Sequence, residues 1–321
     1  MASQDPTIQR VRAAITDGRT ANIRYRQKEL QNLHAALTEN ADPIADAISK
    51  DTGATTAEVE AELFLTLDSL REFYDGLDFK KELKDEFAVV NGEDNVARRV
   101  GVGLVVVRPT SHTRLYSVVA PICAAVAAGN CVLLEVRFIL PFEIYSVPTE
   151  IQLEQTTLNI DTLLKSLLTK ALDIDTFGIV TKPVSPQSLP AHILLDQTSS
   201  SSSPISKTNE LLSGTSARSL AIVDRTANLD AAAQAIVTAR FSFQGTSPYA
   251  PDLVIVNEWV KKEFFEACSK YATQIFSSKG SAKSSSSNAT KEMAKAVKEA
   301  EAKGQASTFG SADFKIVVTG Q

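Results

Sequence analysis

Hydrophobic positions along this chain change their period near residue 100. Before it they recur at helical spacing. Ile23, Leu30, Leu33 and Leu37 share one face of a helix over residues 22–37. The stretch "ADPIADAISK" predicts a second helix, with Asp42-Pro43 as its start signal. A third runs through "TTAEVEAELFLTLDSLREFY". Thr55 or Thr56 caps it, and acids close behind suit the helix dipole. Valine-rich runs follow at 86–90 and 96–107, and Asn91-Gly92 between them predicts a hairpin.

Beyond residue 100 short apolar runs alternate with helical patterns. "VGLVVV" ends at Arg108-Pro109, a helix spans 114–128, Gly129-Asn130 stops it, and "CVLLE" follows as a strand. This is the strand–helix–strand unit of a parallel sheet. Residues 136–155 carry no clear period. Then come a helix at 158–170, strands "TFGIVTK" and "HILLD", a serine-rich loop at 197–204, and strand "SLAIVD". A helix at 229–243, strand "LVIV", a helix at 259–275, a serine tract at 277–287, a charged helix at 291–303 and strand "FKIVVT" complete the pattern. The expected class is α/β with a largely parallel sheet and helices before it. No internal repeat is visible.

Composition adds limits. The 321 residues allow one large or two medium domains, and 44% hydrophobic with 22% charged residues is ordinary for a globular chain. A net charge of −5 argues against nucleic acid or an anionic membrane as main partner. Cys123, Cys131 and Cys268 are odd in number and lack CxxC spacing, which predicts a reducing compartment and no metal site. The start, "MASQDPTIQRVRAA", has no signal-peptide core, and no apolar run reaches membrane-spanning length. A cytoplasmic location is expected.

Three segments in order resemble the aldehyde dehydrogenase superfamily. They are "PICAAVAAGNCVLLE" at 121–135, "LAIVDRTANLDAAAQAIVTARF" at 220–241, and "APDLVIV" within "FQGTSPYAPDLVIVNE" at 243–258. The resemblance implies N-terminal helices (1–82) packed on a Rossmann-like cofactor domain (83–213) that carries a β-arm hairpin. A catalytic-type α/β domain (214–321) follows. It also implies a chain shorter than full family members, with the second domain incomplete. The arm's returning strand is then missing, which leaves a homo-oligomer open. The family oxidises aldehydes to acids with NAD(P), through a cysteine thiolate, an asparagine oxyanion donor and a glutamate that activates water.

Counting those roles onto this sequence changes each one. Pro248 stands at the nucleophile position, beside Ser247, which has no histidine near it in sequence. Cys268, in helical "KKEFFEACSKYA", is expected to pack rather than react. The base position falls on Gly214, with Glu210 the nearest carboxylate, in a helical pattern of its own. The oxyanion position falls on Ser111 or His112. The ribose-binding lysine is replaced by Glu135, which either accepts ribose hydroxyls of NAD or ends its strand facing water. The pyrophosphate turn is "LDQTSSSSSP", without glycine, with Asp196 adding negative charge and a helix expected near Pro204.

Three readings follow. The first is a family protein without dehydrogenase activity, a binding or regulatory module for a small-molecule ligand. The second is an oxidoreductase with an atypical site built on His112 or Cys268, and it needs bound nicotinamide within reach of one of them. The third is a non-redox enzyme that reuses the cleft by positioning alone.

Overall fold

The computed structural model describes residues 5–96, 98–136, 158–181, 184, 189–198, 209–213, 219–245, 247–279, 295, 297–304, 306–310 and 315–319. The chain divides into two compact units, Met1–Ala217 and Arg218–Gln321. Five helices open the first: α1 (Pro6–Asp17), α2 (Ile23–Glu39), α3 (Ala41–Thr52), α4 (Thr56–Asp75) and α5 (Phe79–Phe87). Then follow β1 (Leu104–Arg108), α6 (Arg114–Ala127), β2 (Cys131–Glu135), α7 (Asn159–Ala171), β3 (Phe177–Val180), β4 (His192–Asp196) and β5 (Glu210–Leu212). The strands form one sheet, ordered β3-β2-β1-β4-β5, and every pairing is parallel.

Side chains of a strand alternate between faces, and here both faces are covered. Val105, Val107, Val132 and Leu134 enter a core with α2, α3, α4, α6 and α7. Leu104, Val106, Cys131 and Leu133 pack on the other face against Ile8, Val11 and Ala14 of α1. That double burial explains why β1 and β2 read as unbroken apolar runs. Each buried Leu or Val side chain stabilises by roughly 1.5–3 kcal/mol. Gly129, at φ 80, turns the chain from α6 into β2, a left-handed conformation that glycine adopts without a Cβ penalty.

Helix ends are closed by local and distant groups. Thr55 caps α4 and forms a reciprocal capping box with Glu58. Asp51 of α3 accepts from Asn159 and Ile160 backbone N–H, closing the start of α7. At α6 the cap residue Thr113 is left-handed (φ 43) and its side chain makes no cap bond. For a β-branched residue that backbone is strained. Glu62 of α4 supplies the missing acceptor: its Oε1 takes the N–H of Leu115 at 2.9 Å and of Tyr116 at 3.3 Å. Burial pushes the Glu62 carboxyl up, and the two amide bonds only partly oppose it. Pro121 lies inside α6 and has no N–H for the Ser117 carbonyl; Gln197 Nε2 donates to that oxygen at 2.8 Å instead.

The second unit holds β6 (Ser219–Val223), α8 (Leu229–Phe241), β7 (Pro251–Val256), α9 (Lys261–Lys279), β8 (Ala306–Gly310) and β9 (Lys315–Thr319). β6 and β7 are parallel, joined through α8. Val223, Ala233, Val237, Phe264, Cys268 and Ala272 form the core. β8 and β9 are an antiparallel pair, of which the sequence pattern predicts only the second strand.

Among the described residues the expected strands at 86–90 and 96–107 do not pair as a hairpin. Asp78 caps α5 with two bonds, to the N–H of Lys80 and Lys81, and the helix runs on to Phe87. Asn91 N–H then bonds back to Phe87 and Ala88 carbonyls, and Gly92 makes a turn at φ 75. Val89, Val90, Val96 and Val100 are exposed, with no third strand to shelter a ribbon that is marginal by itself. Glu210 also departs from expectation. It opens β5 paired to Leu194 of β4, rather than lying in a helix. The helix expected near Pro204 lies outside the described residues.

Glu62→Ala is expected to lower stability by about 1–3 kcal/mol, because two buried amides lose their acceptor. Glu62→Gln, which keeps one acceptor oxygen, is expected to lose less; urea unfolding followed by far-UV circular dichroism checks both.

Candidate functional site

In an open parallel sheet, ligands gather outside the carboxyl ends of the strands, where the strand order reverses. In the order β3-β2-β1-β4-β5 that reversal lies between β1 and β4. Arg108 ends β1 in register with Asp196, the last residue of β4. The period of two places Arg108, Glu135 and Asp196 on the α1 face of the sheet, with Val106, Leu133 and Leu194. Arg108 Nε donates to Glu135 Oε2 at 2.7 Å, and its Nη1 reaches Asp196 Oδ2 at 3.4 Å. Glu135 is 1% and Asp196 3% exposed. Burial works against the guanidinium charge, but the two carboxylates more than offset it, so Arg108 is held above its ordinary pKa.

Further bonds stitch the same edge. Gln197 N–H donates to the Arg108 carbonyl, across the reversal. Thr198 N–H and Oγ1 both donate to Asp196 Oδ1, at 2.8 and 2.6 Å. Arg114, buried at the start of α6, pairs with Asp161 at 2.7 Å and donates Nη1 to the Pro109 and Thr110 carbonyls. Ser117 Oγ donates to the Thr110 carbonyl as well.

The sequence-predicted positions fall as follows. Glu135 is neither at a water-facing strand end nor exposed; its carboxylate is a buried partner of Arg108. Ser111 is exposed and His112 half-buried in the turn after β1, where burial lowers the imidazole pKa and favours the neutral ring. Gly214 lies outside the described residues. Sequence reasoning missed Arg108, Arg114 and Gln197, whose partners are 27 to 88 residues away.

In the second unit Pro248 sits in a turn closed by Ala250 N–H to the Ser247 carbonyl at 3.3 Å. Phe243 (φ 49) and Gly245 (φ 71) shape the approach to it, and Asp252 pairs with Arg240 at 3.0 Å just after. Cys268 packs in the core of this unit. Burial pushes its thiol up to about 11, Cys131 to about 11 and Cys123 to about 12. Thiolate, the reactive form, is therefore scarce at neutral pH in all three. Among the described residues no cluster of His, Cys, Asp or Glu is arranged to hold a metal ion, and no helix is long and apolar enough to cross a membrane.

A parallel sheet with its order reversing beside β1, followed by a second α/β unit, defines a nucleotide-binding type of architecture. The Aldehyde dehydrogenase family model matches residues 2–141 and 199–317, more than half of the chain, and the chain belongs to that family. It is similar to 4,4'-diaponeurosporen-aldehyde dehydrogenase of Staphylococcus aureus, at 22% identity over 280 residues, 80% of this chain and 55% of that relative. The chain thus spans between about a third and just over half the length of the curated relatives it matches. Among solved structures, the substrate-bound Staphylococcus aureus AldH superposes with a TM-score of 0.63 at 22% identity, covering 85% of this chain and 59% of that one. Aldehyde dehydrogenase C of Pseudomonas syringae, a mutant complexed with NAD+ and octanal, gives 0.61 at 18% identity, covering 84% and 54%. At these identities the structures establish the shared fold.

The buried thiols give a direct test. A disulfide reagent at about pH 8 is expected to leave all three cysteines unmodified in the folded chain and to titrate three in concentrated guanidinium chloride.

Proposed function

We propose that this chain is an aldehyde dehydrogenase-family protein that does not oxidise aldehydes and serves as a binding or regulatory module. The observation that carries this reading is Pro248. By the A-P-D register it stands where the family keeps its nucleophile, in a tight turn. Proline offers neither a nucleophilic atom nor an N–H. No other thiol substitutes for it, since Cys123, Cys131 and Cys268 are all buried. Gly214 in the general-base position supports the same reading, because glycine cannot activate water. Either residue at the oxyanion position, Ser111 or His112, departs from the family asparagine.

The atypical-site reading, an oxidoreductase that works through Cys268 or His112, loses its first candidate to core packing. His112 is a half-buried neutral imidazole, able to donate one hydrogen bond but not to form the thioester of the family reaction. The cofactor that the family implies is NAD(P), and loss of the reaction does not by itself require loss of binding. Unpaired cysteines support a cytoplasmic location. The net charge of −5 supports a small-molecule ligand over nucleic acid or membrane, with a homo-oligomer left to measurement.

The test is an assay of the purified chain with NAD+ or NADP+ and a panel of aliphatic and aromatic aldehydes. No aldehyde-dependent rise in reduced cofactor above a protein-free control is expected. Robust turnover, abolished by thiol alkylation, would overturn the reading.

A further inference from the structure

We propose that the switch-point crevice of the first sheet is occupied by its own side chains: Arg108, clasped between Glu135 and Asp196, stands where a dinucleotide would lie, and the chain does not bind NAD(P) there. This goes beyond the loss of oxidation, because a chain without a nucleophile can still keep its cofactor.

Three independent features of the site support it. The first is charge. Two buried carboxylates face the guanidinium, so negative charge is placed where a pyrophosphate must approach. Arg108 already donates Nε to Glu135 and Nη1 to Asp196, so a two-point hold on a phosphate has to compete with both carboxylates. Glu135, the residue positioned to accept ribose hydroxyls, already accepts from Arg108 Nε.

The second is the helix start. A dinucleotide is ordinarily held by free N–H groups at the first turn of the helix after a strand, reached through glycines that let phosphate approach the backbone. Neither the turn after β1, "RPTSHT", nor the one after β4, "LDQTSSSSSP", where the family resemblance puts the pyrophosphate, has a glycine. The Leu115 and Tyr116 amides at the start of α6 already donate to the Glu62 carboxylate. That helix end is filled by an internal carboxyl group.

The third is the seam itself. Gln197 N–H bonds to the Arg108 carbonyl, and Gln197 Nε2 bonds to Ser117, so the end of β4 is tied to both β1 and α6. A ligand seated across the ends of β1 and β4 has to displace these groups and separate a desolvated ion pair. Parting a buried pair leaves an uncompensated charge, which is far costlier than never having paired it.

Two measurements on the full chain test the proposal. Isothermal titration of the wild-type protein with NAD+, NADH, NADP+ and NADPH is expected to show no saturable heat up to about 1 mM. Saturable binding of any of the four overturns the clasp and leaves the reading on aldehyde oxidation standing, since that rests on Pro248. The second is thermal unfolding of Arg108→Met against the triple variant Arg108→Met, Glu135→Gln, Asp196→Asn. Arg108→Met is expected to lower the midpoint by about 5 °C or more, with the triple variant recovering a large part of that loss. A single variant as stable as wild type, or a triple variant less stable than the single one, overturns the clasp even if no dinucleotide binds.

Discussion

Two carboxylates buried at the ends of β2 and β4, on either side of β1, demand a positive charge between them. Glu135 and Asp196 are nearly inaccessible, and an ionised carboxylate removed from water without a partner is costly by several kcal/mol. Arg108 meets that demand from the central strand, β1, which lies between β2 and β4 in the sheet. One guanidinium therefore links three parallel strands at the same level. The turns that leave those strands inherit their positions from it. Pro109 and Thr110 present carbonyls to Arg114, and Thr198 folds back onto Asp196. The polar edge of this sheet is thus built as a closed network, with its partners drawn from inside the chain.

The rest of the first unit supports that edge from behind. Five of the seven helices, α2, α3, α4, α6 and α7, cover one face, while α1 covers the other. A second knot ties α2 and the short turn before it to the loop before β3. There Tyr25 donates to Asp173, Arg19 pairs with Asp173 and Asp175, and Glu29 accepts the Asp173 N–H. Apolar burial fixes the layers, and these few charged contacts fix how the connecting loops register upon them. The same division holds in the second unit at small scale. Its core is a handful of aliphatic residues with Phe264 and Cys268, and the Arg240–Asp252 pair joins helix α8 to strand β7.

Much of the fold was legible because its signals are local. Val105 to Val107 and Val132 to Leu134 alternate between two buried faces, so any reading of apolar runs finds β1 and β2. Gly129 marks the end of α6 through a backbone requirement that few other residues satisfy. Asn91-Gly92 misled for the same reason. Its turn signal is real, and Gly92 does adopt positive φ, but a hairpin also needs neighbours, and α5 consumes the first strand. β5 is only three residues long and begins with a glutamate, too short and too polar for periodicity to detect. At the site, counting along the sequence singled out Pro248 and Glu135, but not what they touch. Arg108 finds its partners 27 and 88 residues away, a pairing set by sheet order rather than by spacing.

Pro121 and Gln197 carry one more implication. Packed helices in many proteins shift by a full turn along their axes to transmit a signal, and such ratchets require interchangeable contacts on either side of the step. Here the Ser117 carbonyl, without the amide that a non-proline residue would have given it, is met by a side chain rooted at the end of β4. Sliding α6 by one turn would strand that oxygen away from Gln197. The helix is indexed to the sheet at a single tooth, and the first unit is better suited to hold a shape than to relay a displacement.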